Sequence, residues 1–119
     1  MSEGDCFRTA ANSLMDGVIL GKLPESSILV HGRPTLQREP WTKFTHAWIE
    51  MPDGIVIDNE TGFRGPAPFY YGLGNIDPEE CFTYTFEEMK KHLIEYGHYG
   101  PWEGPEACPP VESEDEDGT

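Results

Sequence analysis

With 119 residues and a formal charge of −14, the chain is long enough for one domain with a real core and too acidic for nonspecific contact with nucleic acid or an anionic membrane. From Glu103 onward it carries seven acidic residues, three prolines and no Lys or Arg, so a domain over residues 1–102 followed by a solvated, disordered tail over 103–119 is expected. No apolar run reaches eighteen residues and residues 1–5 lack the basic start of a secretion signal, which points to the cytoplasm.

In chain order, Asp5 has N-cap chemistry, and Phe7, Ala10, Ala11, Leu14 and Met15 recur at helical spacing until Gly17. Cys6 then falls in the first helical turn, where the positive end of the helix dipole favours a thiolate while Glu3 and Asp5 oppose it by like charge. Val18, Ile19 and Leu20 read equally as a helix extension or a short strand. Ile28-Leu29-Val30-His31-Gly32 has strand character, and residues 34–42 read as a connecting loop.

Residues 45–51 alternate, with His46, Trp48 and Glu50 on one face and Ala47, Ile49 and Met51 on the other, and Pro52, Asp53 and Gly54 supply a turn before Ile55-Val56-Ile57-Asp58. Three registers are open. A three-residue loop makes Asp58 the diagonal neighbour of His46, a five-residue loop sets them opposite each other, and a two-residue loop puts them on opposite faces.

Residues 59–68 read as an exposed loop, residues 69–73 as a short helix or, since aromatics suit both, a strand, and residues 77–80 as a turn. Residues 81–84 alternate as a strand. Thr85 and Glu88 have capping-box form and open a helix with Phe86, Met89, Leu93 and Ile94 inward, which Gly97 stops. Trp102 is expected to cover one end of the core. The fold class is therefore α+β: an N-terminal helix on a small, mostly antiparallel sheet built from segments near 28, 45, 55 and 81, plus a C-terminal helix.

Cys6, His46 and Asp58 are the residues that together suggest chemistry, because an imidazole oriented by a carboxylate is a general base for a nearby thiol. Trp48 shares the His46 face and is expected to shield or bind beside it. Asn59 is an alternative orienter and His31 a rival base. The three cysteines are odd in number and lack CxxC spacing, which argues against a disulfide framework or structural zinc, and no metal or cofactor is expected.

Gly4-Asp5-Cys6-Phe7-Arg8-Thr9-Ala10-Ala11, then His46-Ala47-Trp48-Ile49-Glu50, then Val56-Ile57-Asp58, resembles the core of the transglutaminase-like and papain-like cysteine-enzyme superfamily. The wider layout, including Tyr70-Tyr71 and Tyr99-Gly100-Pro101-Trp102, is similar to small proteins of bacteriophages and bacteria. This resemblance implies Cys6 as nucleophile, His46 as base and Asp58 as orienter, acting on an amide bond of a protein or peptide as a peptidase, amidase, deamidase or acyl transferase. No Gln or Trp precedes Cys6, so a second oxyanion donor must come from elsewhere, with Gln37 and Asn12 as candidates. The alternative is a non-catalytic acidic, phage-type protein that occupies a basic surface of a host factor.

Overall fold

The computed structural model describes residues 4–35 and 39–111, without the side chains of residues 4 and 5. Helix α1 spans Gly4–Ile19, strand β1 Ile28–Gly32, β2 His46–Glu50, β3 Ile55–Asp58 and β4 Phe63–Pro66. Helix α2 spans Ala67–Gly74, a 3-10 turn Pro78–Glu80, β5 Phe82–Tyr84 and helix α3 Phe86–Tyr96. The five strands form one antiparallel sheet in the order β4-β3-β2-β1-β5. The α+β expectation therefore holds, with one strand more than the sequence indicates.

Strand alternation divides the core in two. Leu29, Ala47, Ile49 and Ile57 face Phe7, Ala10, Ala11 and Leu14 of α1 together with Phe86 and Met89 of α3. Val30, Trp48 and Val56 point the other way, against Tyr70 of α2 and Ile76. With both sheet faces covered, burial of each large side chain stabilises the fold by roughly 1.5–3 kcal/mol.

Several local expectations need correction. Helix α1 takes in Asp5 and runs through Gly17 to Ile19, so Asp5 is a helix residue and the glycine is no stop. Gly17 serves packing: a Cβ there would lie 2.4 Å from Leu23 Cδ1. The loop expected after Asp58 contains β4, whose Gly65 and Pro66 are tolerated because the strand lies at the sheet edge. In α3, Ile94 is 85% exposed. At about 100° per residue, Phe86, Met89, Leu93 and Tyr96 cluster on one side and Ile94 falls well off it.

The C-terminal part of the domain follows local chemistry more closely. Thr85 Oγ1 accepts from Glu88 N at 3.1 Å while Glu88 Oε1 accepts from Thr85 N at 3.0 Å, and Gly97 closes α3 in the left-handed conformation, φ 72°. Trp102 is buried against the α1 side of the core. Contacts continue past residue 102, since Tyr84 donates to Glu103, Cys108 N to Pro101 O and Val111 N to Tyr96 O. Residues 103–111 are thus solvent-exposed yet tied to the domain, and the rest of the acidic stretch lies outside the described residues. No described helix is long and apolar enough to cross a membrane.

Candidate active site

The geometry of the site begins at the β2–β3 turn. Met51 N donates to Ile55 O at 2.9 Å and Gly54 N to Met51 O at 2.9 Å, leaving Pro52, Asp53 and Gly54 as a three-residue loop with Gly54 at φ 87°. The ladder then pairs Glu50 with Val56 and Ile49 with Ile57. Extending it sets Trp48 opposite Asp58 and makes His46 the diagonal neighbour on the same face, the first of the three open registers.

His46 Nε2 meets Asp58 Oδ2 at 2.8 Å, and both side chains are buried. Asp58 uses its whole carboxylate. Oδ1 accepts from Glu60 N at 3.0 Å and Thr61 N at 3.2 Å, while Oδ2 also accepts from the Tyr70 hydroxyl at 2.5 Å. A buried carboxylate with four donors is satisfied as an anion. Burial pushes the Asp58 pKa upward, but the bonds from His46, Tyr70 and Thr61 prevail and hold it below the usual range.

His46 also hydrogen-bonds Cys6. Since Nε2 is engaged by Asp58, Nδ1 is the ring nitrogen left for the thiol. Burial is the largest single influence on the imidazole and favours its neutral form. The hydrogen bonds and electrostatic attraction from Asp58, with smaller contributions from Cys6, together outweigh it and push the His46 pKa up to about 9. Cys6 lies in the first described turn of α1 and is only 7% exposed. The three residues singled out by sequence therefore converge into one chain of contacts, Asp58 to His46 to Cys6.

Tyr70 is the member of the site that sequence reasoning missed. Ala67 N donates to Gly54 O at 2.9 Å, which pins the start of α2 to the hairpin turn and swings Tyr70 over Asp58. Its ring packs on Trp48 and Phe63, with centroids 5.1 and 4.9 Å apart. Prolines at 66 and 68 announce the helix in the sequence, but nothing local announces where its tyrosine lands.

Trp48 is fully buried, and its indole N–H donates to Glu50 Oε2 at 3.1 Å. It offers no surface to a ligand, so its part is to pack beside His46, ring centroids 6.1 Å apart. Gly32, the strand partner of His46, leaves room for that indole: a Cβ there would lie 2.4 Å from Trp48 Cη2. Glu50 accepts from Trp48 and, at 2.5 Å, from the Tyr71 hydroxyl.

Asn59, Asn12 and His31 stand apart from this chain of contacts. Asn59, which follows β3, donates to Ser13 Oγ at 2.8 Å and ties the sheet to α1, while Asp58 is the residue that bonds His46. Asn12 is exposed and lies six residues from Cys6, roughly 9 Å along the helix axis, too far for an oxyanion donor. Gln37 lies outside the described residues. His31 sits among Phe7, Tyr84 and Trp102, with no hydrogen-bond partner for either ring nitrogen among the described residues. Among the described residues, no three His, Cys, Asp or Glu side chains converge as metal ligands would. No family model, curated protein or solved structure matches the chain.

Proposed function

We propose that the protein is a cysteine-dependent hydrolase or acyl transferase, with Cys6 as nucleophile, His46 as acid and base, and Asp58 as orienter. One observation carries this reading: His46 bridges a fully hydrogen-bonded buried carboxylate and a thiol at a helix start. The imidazole beside the sulfur is placed to act as its base, and the first turn of α1 lies where a developing oxyanion would need donors. Tyr70 is a positioning residue, since its hydroxyl shares the Asp58 oxygen that holds His46.

In this reaction Cys6 Sγ adds to the carbonyl carbon of an amide and the carbonyl electron pair moves onto oxygen. First-turn amides of α1 stabilise that oxyanion. The C–N bond then breaks, and the leaving amine takes its proton from His46. Water or a second amine attacks the resulting thioester, passes its proton to His46 and releases Cys6. The chemistry suits transglutaminase-like and papain-like enzymes, and a protein or peptide amide is the proposed substrate. None of the three thiols is in a disulfide, in keeping with a reducing cytoplasm, or a host cytoplasm if the chain is phage-encoded.

The test is site-resolved alkylation by iodoacetamide at pH 6, read by mass spectrometry. Cys108 is exposed and Cys81 is half-buried, with burial pushing its pKa up, so accessibility alone would make Cys108 fastest. Cys6 should instead react fastest, about tenfold slower after His46→Ala and less affected by Asp58→Asn. A Cys6 no faster than Cys108 and indifferent to both substitutions would sink the enzyme reading and favour the non-catalytic binding protein.

A further inference from the structure

The residue just before His46 carries a contact that the proposed chemistry does not use. Thr45 N donates to Glu106 Oε1 at 2.9 Å, and Arg33 Nη2 lies 3.7 Å from Glu106 Oε2. Arg33 follows β1 directly and is itself held by a 3.5 Å bond from Nη2 to Lys43 O, while its buried Nε has no hydrogen-bond partner among the described residues. A backbone N–H and a guanidinium converging on one carboxylate form a recognition pair for an acidic group.

Glu106 arrives there from far along the chain. The segment that brings it passes the core at Gly100, where a Cβ would lie 3.4 Å from Phe7, the neighbour of Cys6. It is anchored on either side of Glu106, by Tyr84 donating to Glu103 and by His98 Nε2 donating to the carbonyl oxygens of Cys108 and Pro109 at 3.2 and 3.1 Å. Every residue from 103 to 111 is exposed, and the Glu106 side chain itself is 46% exposed. Polar contacts rather than core burial hold it, so another carboxylate can replace it.

We propose that Thr45 N–H and Arg33 form a carboxylate-recognition subsite beside the Cys6–His46 pair, filled in the free protein by Glu106 and in the working enzyme by an acidic side chain of the substrate. The proposal rests on the cysteine-enzyme reading and narrows its substrate to an acidic protein or peptide. A tethered carboxylate competes at an effective concentration in the millimolar range. Removing it should expose the subsite.

The experiment uses the full chain and its Glu106→Gln variant, with N-acetylglutamate α-amide as probe and N-acetylglutamine α-amide as neutral control. Binding is read from the Thr45 amide chemical shift. The acidic probe should bind Glu106→Gln at least about fivefold tighter than the unaltered chain, and the neutral control should bind neither. Arg33→Gln added to Glu106→Gln should abolish binding, whereas Arg33→Lys should keep most of it. N-acetylalanine, with a terminal carboxylate, should bind more weakly than the side-chain probe. Equal affinity for the acidic and neutral probes, or no gain from Glu106→Gln, overturns the subsite. Saturating acidic probe should also slow iodoacetamide at Cys6 of Glu106→Gln several-fold, and binding without slowing overturns its link to the reaction. A Cys6 that is inert even without probe is a separate result, which removes the cysteine reading and with it any substrate role for the subsite.

Discussion

His31 and His46 stand on adjacent strands, facing Ala47 and Gly32 across the same ladder, and both are buried. Their chemistry is opposite. His31 has aromatic rings on three sides and no hydrogen bond to any described residue, and burial, with a smaller push from His92, lowers its pKa to about 3. His46 meets the same desolvation, but Asp58 and Cys6 raise it to about 9. Burial thus decides only that the charge must be justified, and the partner decides whether it exists.

The largest way to break this contrast is Asp58→Ala. It leaves His46 without its carboxylate and strands the Tyr70 hydroxyl, at a cost of roughly 3–5 kcal/mol, the usual penalty for removing one partner of a buried pair. Thermal melting should fall on the order of 10–20 °C at pH 7. A drop of only one or two degrees would mean that the pair contributes little to the folded state.

A smaller effect, with opposite sign, is expected from His31→Leu. The substitution removes two buried nitrogens that lack partners among the described residues, so stability at pH 7 should rise by about 1–3 kcal/mol. The two histidines also predict the shape of the pH profile. For His31, the folded pKa is depressed, so its contribution is intact above the unfolded value near 6.5 and is lost as pH falls toward 3. For His46, the folded pKa is raised, so its contribution is intact below about 6.5 and is lost as pH rises through 9. Melting temperature should therefore decline on both sides of about pH 6.5, and His31→Leu should flatten the acidic side alone. An unchanged acidic limb would show that His31 does not carry it.

The smallest change sharpens the comparison by touching neither histidine. Thr85→Ala removes the α3 cap and should cost about 0.5–2 kcal/mol. It should lower the whole pH profile without altering its shape. If instead one limb moves, stability at the α3 cap is coupled to a histidine, and the two limbs are not independent readings of the two sites.

How much of this arrangement is legible in the sequence depends on how far apart the interacting groups lie. The α3 cap is readable because Thr85 and Glu88 bond to each other's backbone within one turn. The hairpin is readable as a hairpin, but its register is not, because three loop lengths fit the same residues and only the cross-strand ladder selects one. Cys6, His46 and Asp58 are legible as residue types in a suggestive order. Their contact, and the loss of Trp48 as a ligand surface, follow from how α1, α2 and the sheet pack.

By itself, the sequence determines the helical stripe of α1, the alternation in β1 and β2, the capped helix α3 and the acidity of the C-terminal stretch, all of which rest on neighbours within a few residues. Tertiary structure alone decides that β4 adds to the edge of β3, that Tyr70 donates to Asp58, and that Glu106 reaches Thr45 across sixty-one positions of chain. Each of these pairs a group with a partner distant in sequence, and no local preference specifies such a partner. The same reason separates the two histidines: nothing in the residues beside His31 or His46 says which one will be buried against a carboxylate.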